Sequence, residues 1–330
     1  MKLSLELPQN ARLVANAVNY YIDFKVSRVR SLQNDDEERS LVPIVRDLIG
    51  QKANDTFLWV ALVIKELEAP DCLDALQVVN DVPTDLYALY DRIFDRMSQL
   101  QKRTWEFCRS VLSAVTLTYR PLHLAELGVL SGLQPSISST KVRKSVEFCG
   151  SFLTIQNDYI YLIHQTAKDY LSGRASSTLF PSGSADAHRA IFSRSLQAMS
   201  TLRRNIYNLP HWGLRNGNIK APDPLAAIRY SCVHWIGHFC DAYSSSHPEV
   251  ETVRLFLREK FLYWLEALGL MQRLGDAILS MTRLESLLRV SLYFNRIIKN
   301  DTDEYRNNHL ITNYWILSTT HAGLFSRTDG

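Results

Sequence analysis

The 330-residue chain holds thirteen glycines, and none of them falls in a G-x-x-x-x-G-K-[ST] or a G-x-G-x-x-G arrangement. Loops of those kinds cradle phosphates because clustered backbone N–H groups converge on the anion, joined in the first by a lysine. Their absence leaves nothing evident to hold β- and γ-phosphates and argues against a self-sufficient NTPase. A G-x-S-x-G nucleophile elbow is missing too, since GVLSG at 128–132 has the wrong spacing. No catalytic residue is assigned, and the chain reads as a non-enzyme.

Cysteine is scarce. Cys72, Cys108, Cys149, Cys232 and Cys240 are odd in number, widely spread and set among apolar residues. That is unlike a secreted disulfide framework, and a reducing compartment is expected. The opening MKLSLELPQNARLV lacks the apolar run of a signal peptide, and TFLWVALVI at 56–64 is too short to span a bilayer. A cytoplasmic location without a membrane partner follows as an expectation. Charge of one sign is lacking as well: the net value is +3, spread as −5 over residues 1–98, +3 over 99–172 and +5 thereafter. Such a field does not announce nucleic acid. No 20–50-residue period recurs, so a solenoid or propeller is not expected.

What is present is ordinary globular material, 46% apolar and 22% charged. Single cores stop growing at about 250–300 residues, so two or three units are expected. The fold class is mainly α: a leading segment at 1–33, a helical domain at 34–98, a winged-helix domain with a β-hairpin at 99–175, and a second helical region with an atypical tail at 176–330. LSLEL at 3–7 reads as a lone strand, as if a larger domain were entered partway. Asn10 can cap a helix running to about Leu32, and the acidic run Asp35 to Glu38 suits a helix start. Phe57 to Leu67 is apolar nearly all round and reads as buried. After Pro83, Leu86, Leu89, Tyr90, Ile93, Phe94 and Met97 make one core stripe, with Asp91, Arg92, Asp95 and Arg96 on a solvated face.

From Lys102 the periodicity predicts three helices, the last two near 123–133 and 139–149. The alternating runs SFLTIQ and YIYLIH follow, joined by Asn157-Asp158, residues that tolerate the positive φ of a tight turn. QTAKDYL closes a helix–helix–helix–hairpin–helix unit, the winged-helix order. GRASSTLFPSGSA at 173–185 reads as a linker and 208–224 as irregular. Helices are expected near 186–202, 225–243, 249–271 and 275–298, the third carrying the stripe Leu257, Phe261, Trp264, Leu265 and Leu268.

Three constellations invite chemistry. Cys232, His234, His238 and Cys240 share one helix, where only the two histidines lie on a common face; four ligands cannot converge on one ion, so no metal site is assigned and the histidines read as surface groups. The third winged-unit helix carries Lys141, Arg143 and Lys144, too few cations for a salt-sensitive DNA binder, with Val142, Val146 and Cys149 facing the core. His164 sits where the second hairpin strand enters the closing helix, near orphan N–H groups where anions bind. The alternative for His164 is a buried ring hydrogen-bonded to backbone.

The blocks FLWVALVIKEL, VPTDLYALYDRIFDRM, RPLHLAELGVLSGL, CGSFLTIQNDYIYLIHQTAKDYL and AIRYSCVHWIGHFCDA, in this order, resemble fungal NACHT proteins of the vegetative-incompatibility class, members of the STAND group of signalling NTPases. The resemblance covers about residues 1–270. It implies that 1–33 is the end of a nucleotide-binding core whose Walker motifs are missing, and that the chain is a truncated or degenerate family member. It also implies a helical domain over the adenine and a winged helix over the phosphates, with His164 meeting the β-phosphate of ADP. Relatives often carry G-x-P near the adenine, whereas NDTFLW stands at 54–59 here. The tail from Ser291 matches no family pattern.

The expected function is therefore a non-catalytic regulatory and interaction module, the lid half of a NACHT-type switch in fungal self/non-self recognition or immunity. No cofactor is expected for the isolated chain, and ADP or ATP only with a complete NACHT core. Expected partners are proteins, full-length NACHT relatives or a second copy of the chain. The alternatives are an ATP/GTP-binding STAND NTPase, if upstream sequence supplies a P-loop, and a winged-helix DNA-binding protein.

Overall fold

The computed structural model describes residues 11–29, 32, 41–54, 56–69, 74–133, 139–209, 223–243 and 249–299. The expected strand at 3–7, the Asn10 cap, the acidic start at 35–38, most of the irregular stretch at 208–224 and the tail beyond 299 lie outside them. The chain is mainly α-helical, with one small three-stranded sheet.

The leading helices are α1 (Ala11–Val26), α2 (Val42–Lys52), α3 (Phe57–Leu67), α4 (Ala75–Asp81) and α5 (Leu86–Ser98). The first ends earlier than the expected Leu32: after Val26 the chain turns through the contacts Val29 N–H to Val26 C=O and Leu32 N–H to Val29 C=O. Val29 and Leu32 are buried all the same, so the apolar pattern continued while the helix did not. The third helix buries Trp59, Val60, Leu62, Val63, Ile64 and Leu67, as its composition required. Asp74 and Asp85 cap α4 and α5 by accepting N–H bonds from Gln77 and Ala88.

Next come α6 (Lys102–Leu117), β1 (Leu122–His123), α7 (Leu124–Leu130), α8 (Ser139–Phe148), β2 (Leu153–Gln156), β3 (Tyr159–Leu162) and α9 (Gln165–Ser172). The sheet order is β1-β3-β2, antiparallel throughout. Asn157 and Asp158 both take positive φ, 50° and 64°, so the hairpin closes with the tight turn those residues permit. The two-residue strand β1 had no sequence signal, being too short for alternation to register.

Then follow α10 (Ser176–Leu179), α11 (Ser184–Met199), α12 (Arg229–Ala242), α13 (Glu249–Leu270) and α14 (Leu274–Lys299). The expected linker at 173–185 is partly packed, because Ala175, Leu179 and Phe180 are buried and make a short helix. Two buried clusters organise the molecule. One gathers side chains from Val18 to Ile191 and takes in Tyr230; the other runs from Phe192 to Leu284. Tyr230 is thus a rear-helix residue lodged in the front core.

Candidate functional site

His164 is the N-cap of α9. Its backbone is extended, and its ring Nδ1 accepts the Thr166 N–H at 3.2 Å while lying 3.0 Å from Thr166 Oγ1. The residue is exposed, so of the two sequence readings the backbone bond is present and the burial is not. An Nδ1 that accepts cannot carry the proton, so a neutral ring holds it on Nε2. Among the described residues nothing bonds Nε2, which leaves an outward N–H donor at a helix start.

The start of α9 is tied to the core around it. Thr166 Oγ1 lies 3.2 Å from the Tyr90 hydroxyl, which ties the start of α9 to α5. Tyr90 packs against Tyr170 and Phe152 with ring centroids 5.2 and 5.4 Å apart, and Phe94 meets Trp105 edge-on at 5.4 Å. Burial raises the Tyr90 hydroxyl's pKa, so it stays a neutral partner at ordinary pH. Arg174 reaches Asp91 at 2.9 Å, and the Lys65 ammonium donates to the Gly150 carbonyl.

The face of α5 expected to be solvated is partly so, with Asp95 and Arg96 exposed, but three of its four side chains also reach neighbouring segments. Besides Asp91, Arg92 donates to the Asp81 carbonyl at 3.0 Å, and Arg96 reaches the buried Glu66 at 2.5 Å. The helical stripe fixes which residues face the core but not what lies over the polar side. On α8, Val142, Val146 and Cys149 are buried as expected, and Arg143 pairs with Asp158 of the hairpin turn.

A second polar cluster joins the α6–α9 segment to the rear helices. Glu126 of α7 is buried, accepts both ends of the Arg120 guanidinium at 2.7 and 2.8 Å, and takes N–H bonds from His123 at 2.9 Å and Tyr230 at 3.0 Å. The Tyr230 hydroxyl accepts the Tyr119 N–H at 3.1 Å and meets His238 Nε2 at 2.8 Å. His238 Nδ1 in turn lies 2.8 Å from His188 Nδ1 on α11. The Tyr119 hydroxyl donates to Asp241 at 2.5 Å, whose other oxygen accepts from Arg283 at 2.6 Å.

The surface reading of the α12 histidines is therefore corrected. His238 is fully buried, and His234 is wedged beside the Tyr119 and Tyr230 rings at 5.4 and 4.6 Å. Both were misplaced because α11, α14 and the 118–120 segment pack round α12, which the helix's own periodicity cannot report. Gly237 makes this possible: a Cβ there would stand 3.0 Å from the Tyr119 ring. Among the described residues, no group of three or more His, Cys, Asp or Glu side chains could hold a metal ion, and no helix is long and apolar enough to cross a membrane.

Helical architecture, the helix–strand–helix–helix–hairpin order leading to His164, and the five ordered blocks define a relative of the fungal NACHT-type vegetative-incompatibility proteins. Similarity along the whole chain shows the same. Vegetative incompatibility protein HET-E-1 of Podospora anserina is 35% identical over 358 aligned positions, which take in 99% of this chain and 26% of that protein. The chain thus spans about a quarter of the length of that relative. No family model and no solved structure matches it.

Proposed function

We propose that this chain is a non-catalytic regulatory and interaction module acting in fungal heterokaryon incompatibility, the lid half of a NACHT-type switch. The observation that carries the reading is the cap at α9: an exposed imidazole whose Nδ1 is engaged and whose Nε2–H is presented beside the first N–H groups of a helix. That is a donor set for an anion, and a phosphate of ADP held by a NACHT core fits its chemistry. The Tyr90–Thr166 link and the Arg174–Asp91 pair support it, since a lid transmits a nucleotide contact only if its two units move together.

Among the described residues no cluster of His, Cys, Asp or Glu could hold a metal ion, and this reading assigns any turnover to a partner. The partners this reading implies are NACHT-containing relatives, supplied as a second polypeptide or as upstream sequence, and the location is the cytoplasm. Purified chain should hydrolyse neither ATP nor GTP and bind ADP negligibly. Adding the NACHT core of a relative should produce ADP binding tighter than that of the core alone. Turnover by the chain alone, or ADP affinity of the core unchanged by its presence, contradicts the proposal.

A further inference from the structure

The buried junction between the winged unit and α12 has a proton count that can be worked out. Tyr230's hydroxyl accepts the Tyr119 N–H, so its own proton is best satisfied by donation to His238 Nε2. His238 then carries its proton on Nδ1 and donates to Nδ1 of His188, which must be unprotonated there. Every bond in this chain is satisfied only when both rings are neutral. A proton added to His188 either sets two N–H groups against each other 2.8 Å apart or, if His238 shifts its own proton to Nε2, keeps that bond and leaves the Tyr230 phenol proton without an acceptor. One added to His238 puts an N–H where Tyr230 already donates and leaves the phenol proton without an acceptor.

We propose that the His188–His238–Tyr230 chain is an acid-operated latch: neutral imidazoles hold the 118–120 segment of the winged unit against α12, and proton uptake releases it. Among the described residues no carboxylate hydrogen-bonds to either ring, and the nearby Asp241, whose charge favours the protonated forms, only partly offsets burial. On α12 itself His238 faces Tyr230, His234 and Asp241; from α11 it faces His188, and from the 118–120 segment the Tyr119 ring at 4.7 Å. Asp241 is already committed to Tyr119 and to Arg283 of α14, and Glu126 of α7 to Arg120 and two backbone N–H groups. Arg120 lies 5.1 Å from the Tyr230 ring centroid and adds positive charge beside the latch.

Burial agrees with the geometry. It lowers the His188 pKa, pushes His234 down to about 4 with help from Arg120 and Arg273, and pushes His238 down to about 3 with help from the adjoining His188 and His234 rings, against an opposing Asp241. A base whose folded pKa lies below its free value stabilises the fold above the free value, about 6.5, and loses that contribution as pH falls toward the folded one. The latch should therefore loosen below about pH 6.5. The Asp241 carboxyl, held below its ordinary value by its hydrogen bonds despite an opposing desolvation cost, keeps its contribution until lower pH.

Hydrogen exchange on the full chain between pH 7 and 4.5 tests this, read at the Tyr119 amide and along α12 and corrected for the intrinsic pH dependence of exchange. The opened fraction is expected to rise roughly tenfold per pH unit below about 6.5 for each proton taken up, while α5 and α9 stay protected. His188→Gln, whose amide oxygen can accept the His238 bond without titrating, should flatten the response. If that variant folds poorly, nitrogen-15 histidine NMR of the wild type gives the answer directly: His238 with its proton on Nδ1, and ring protonation coinciding with loss of Tyr119 protection. Unchanged protection down to pH 4.5, an undiminished response in folded His188→Gln, or a charged His238 with Tyr119 still protected overturns the latch.

Discussion

The Glu126 carboxylate accepts the backbone N–H of Tyr230 at 3.0 Å, across 104 residues of sequence. Tyr230 lies in the first turn of α12, whose leading N–H groups have no partner within the helix. A buried anion from α7 therefore caps α12 and fixes the rear helices to the α6–α9 segment, with the Arg120 guanidinium balancing its charge.

Removing that anion should be costly. Glu126→Ala leaves the half-buried Arg120 unpaired and orphans the Tyr230 and His123 N–H groups. Breaking one side of a buried pair costs about 3–5 kcal/mol, so the denaturant midpoint should fall sharply. Glu126→Gln should fall between the variant and wild type, because an amide oxygen still serves one N–H.

At the hairpin turn, Asn157→Ala should destabilise the protein by about 1 kcal/mol, because its φ of 50° is left-handed and alanine lacks the short polar side chain whose local hydrogen bonding offsets the Cβ clash for asparagine. Asn157→Gly should be close to neutral. Urea melts of the two variants decide whether backbone conformation alone selects Asn157.

Trp264→Phe removes the indole N–H that donates to the Cys232 carbonyl at 2.7 Å, in a site where the tryptophan is buried. That carbonyl lies within α12 and keeps its helical bond, so the loss is one hydrogen bond, about 0.5–1.5 kcal/mol. Chemical denaturation followed at the second core should show that loss.

Much of the fold was legible because its signals are local. The stripe of α5, the hairpin with its Asn157-Asp158 turn, and the valines of α8 are written in spacing and turn chemistry. The 173–185 segment misled for a stated reason: small polar residues signal a loop, yet Leu179 and Phe180 anchor it in the core. The position of His164 at the start of α9 was legible from the strand-to-helix junction. The junction cluster was not, since Tyr119, Glu126, His188, Tyr230 and His238 meet only through tertiary packing. One sequence sign was available there, H-L-A-E at 123–126, an N-cap followed by glutamate at the third helical position, which forms a capping box.

The claim at the centre of the account is that His164 presents its Nε2–H to a nucleotide phosphate, and calorimetric titration of ADP into the chain combined with a NACHT core tests it. A charge-assisted bond is worth about 1–3 kcal/mol, so His164→Ala should weaken ADP binding roughly five- to hundred-fold. Thermal melts of the isolated chain control for the lost cap, which costs about 1 kcal/mol in either case. Weakened ADP binding with a folded variant is the expected result. A His164→Ala complex that binds ADP as tightly as wild type, with only the melting temperature lowered, would contradict the account and leave His164 as a helix cap alone.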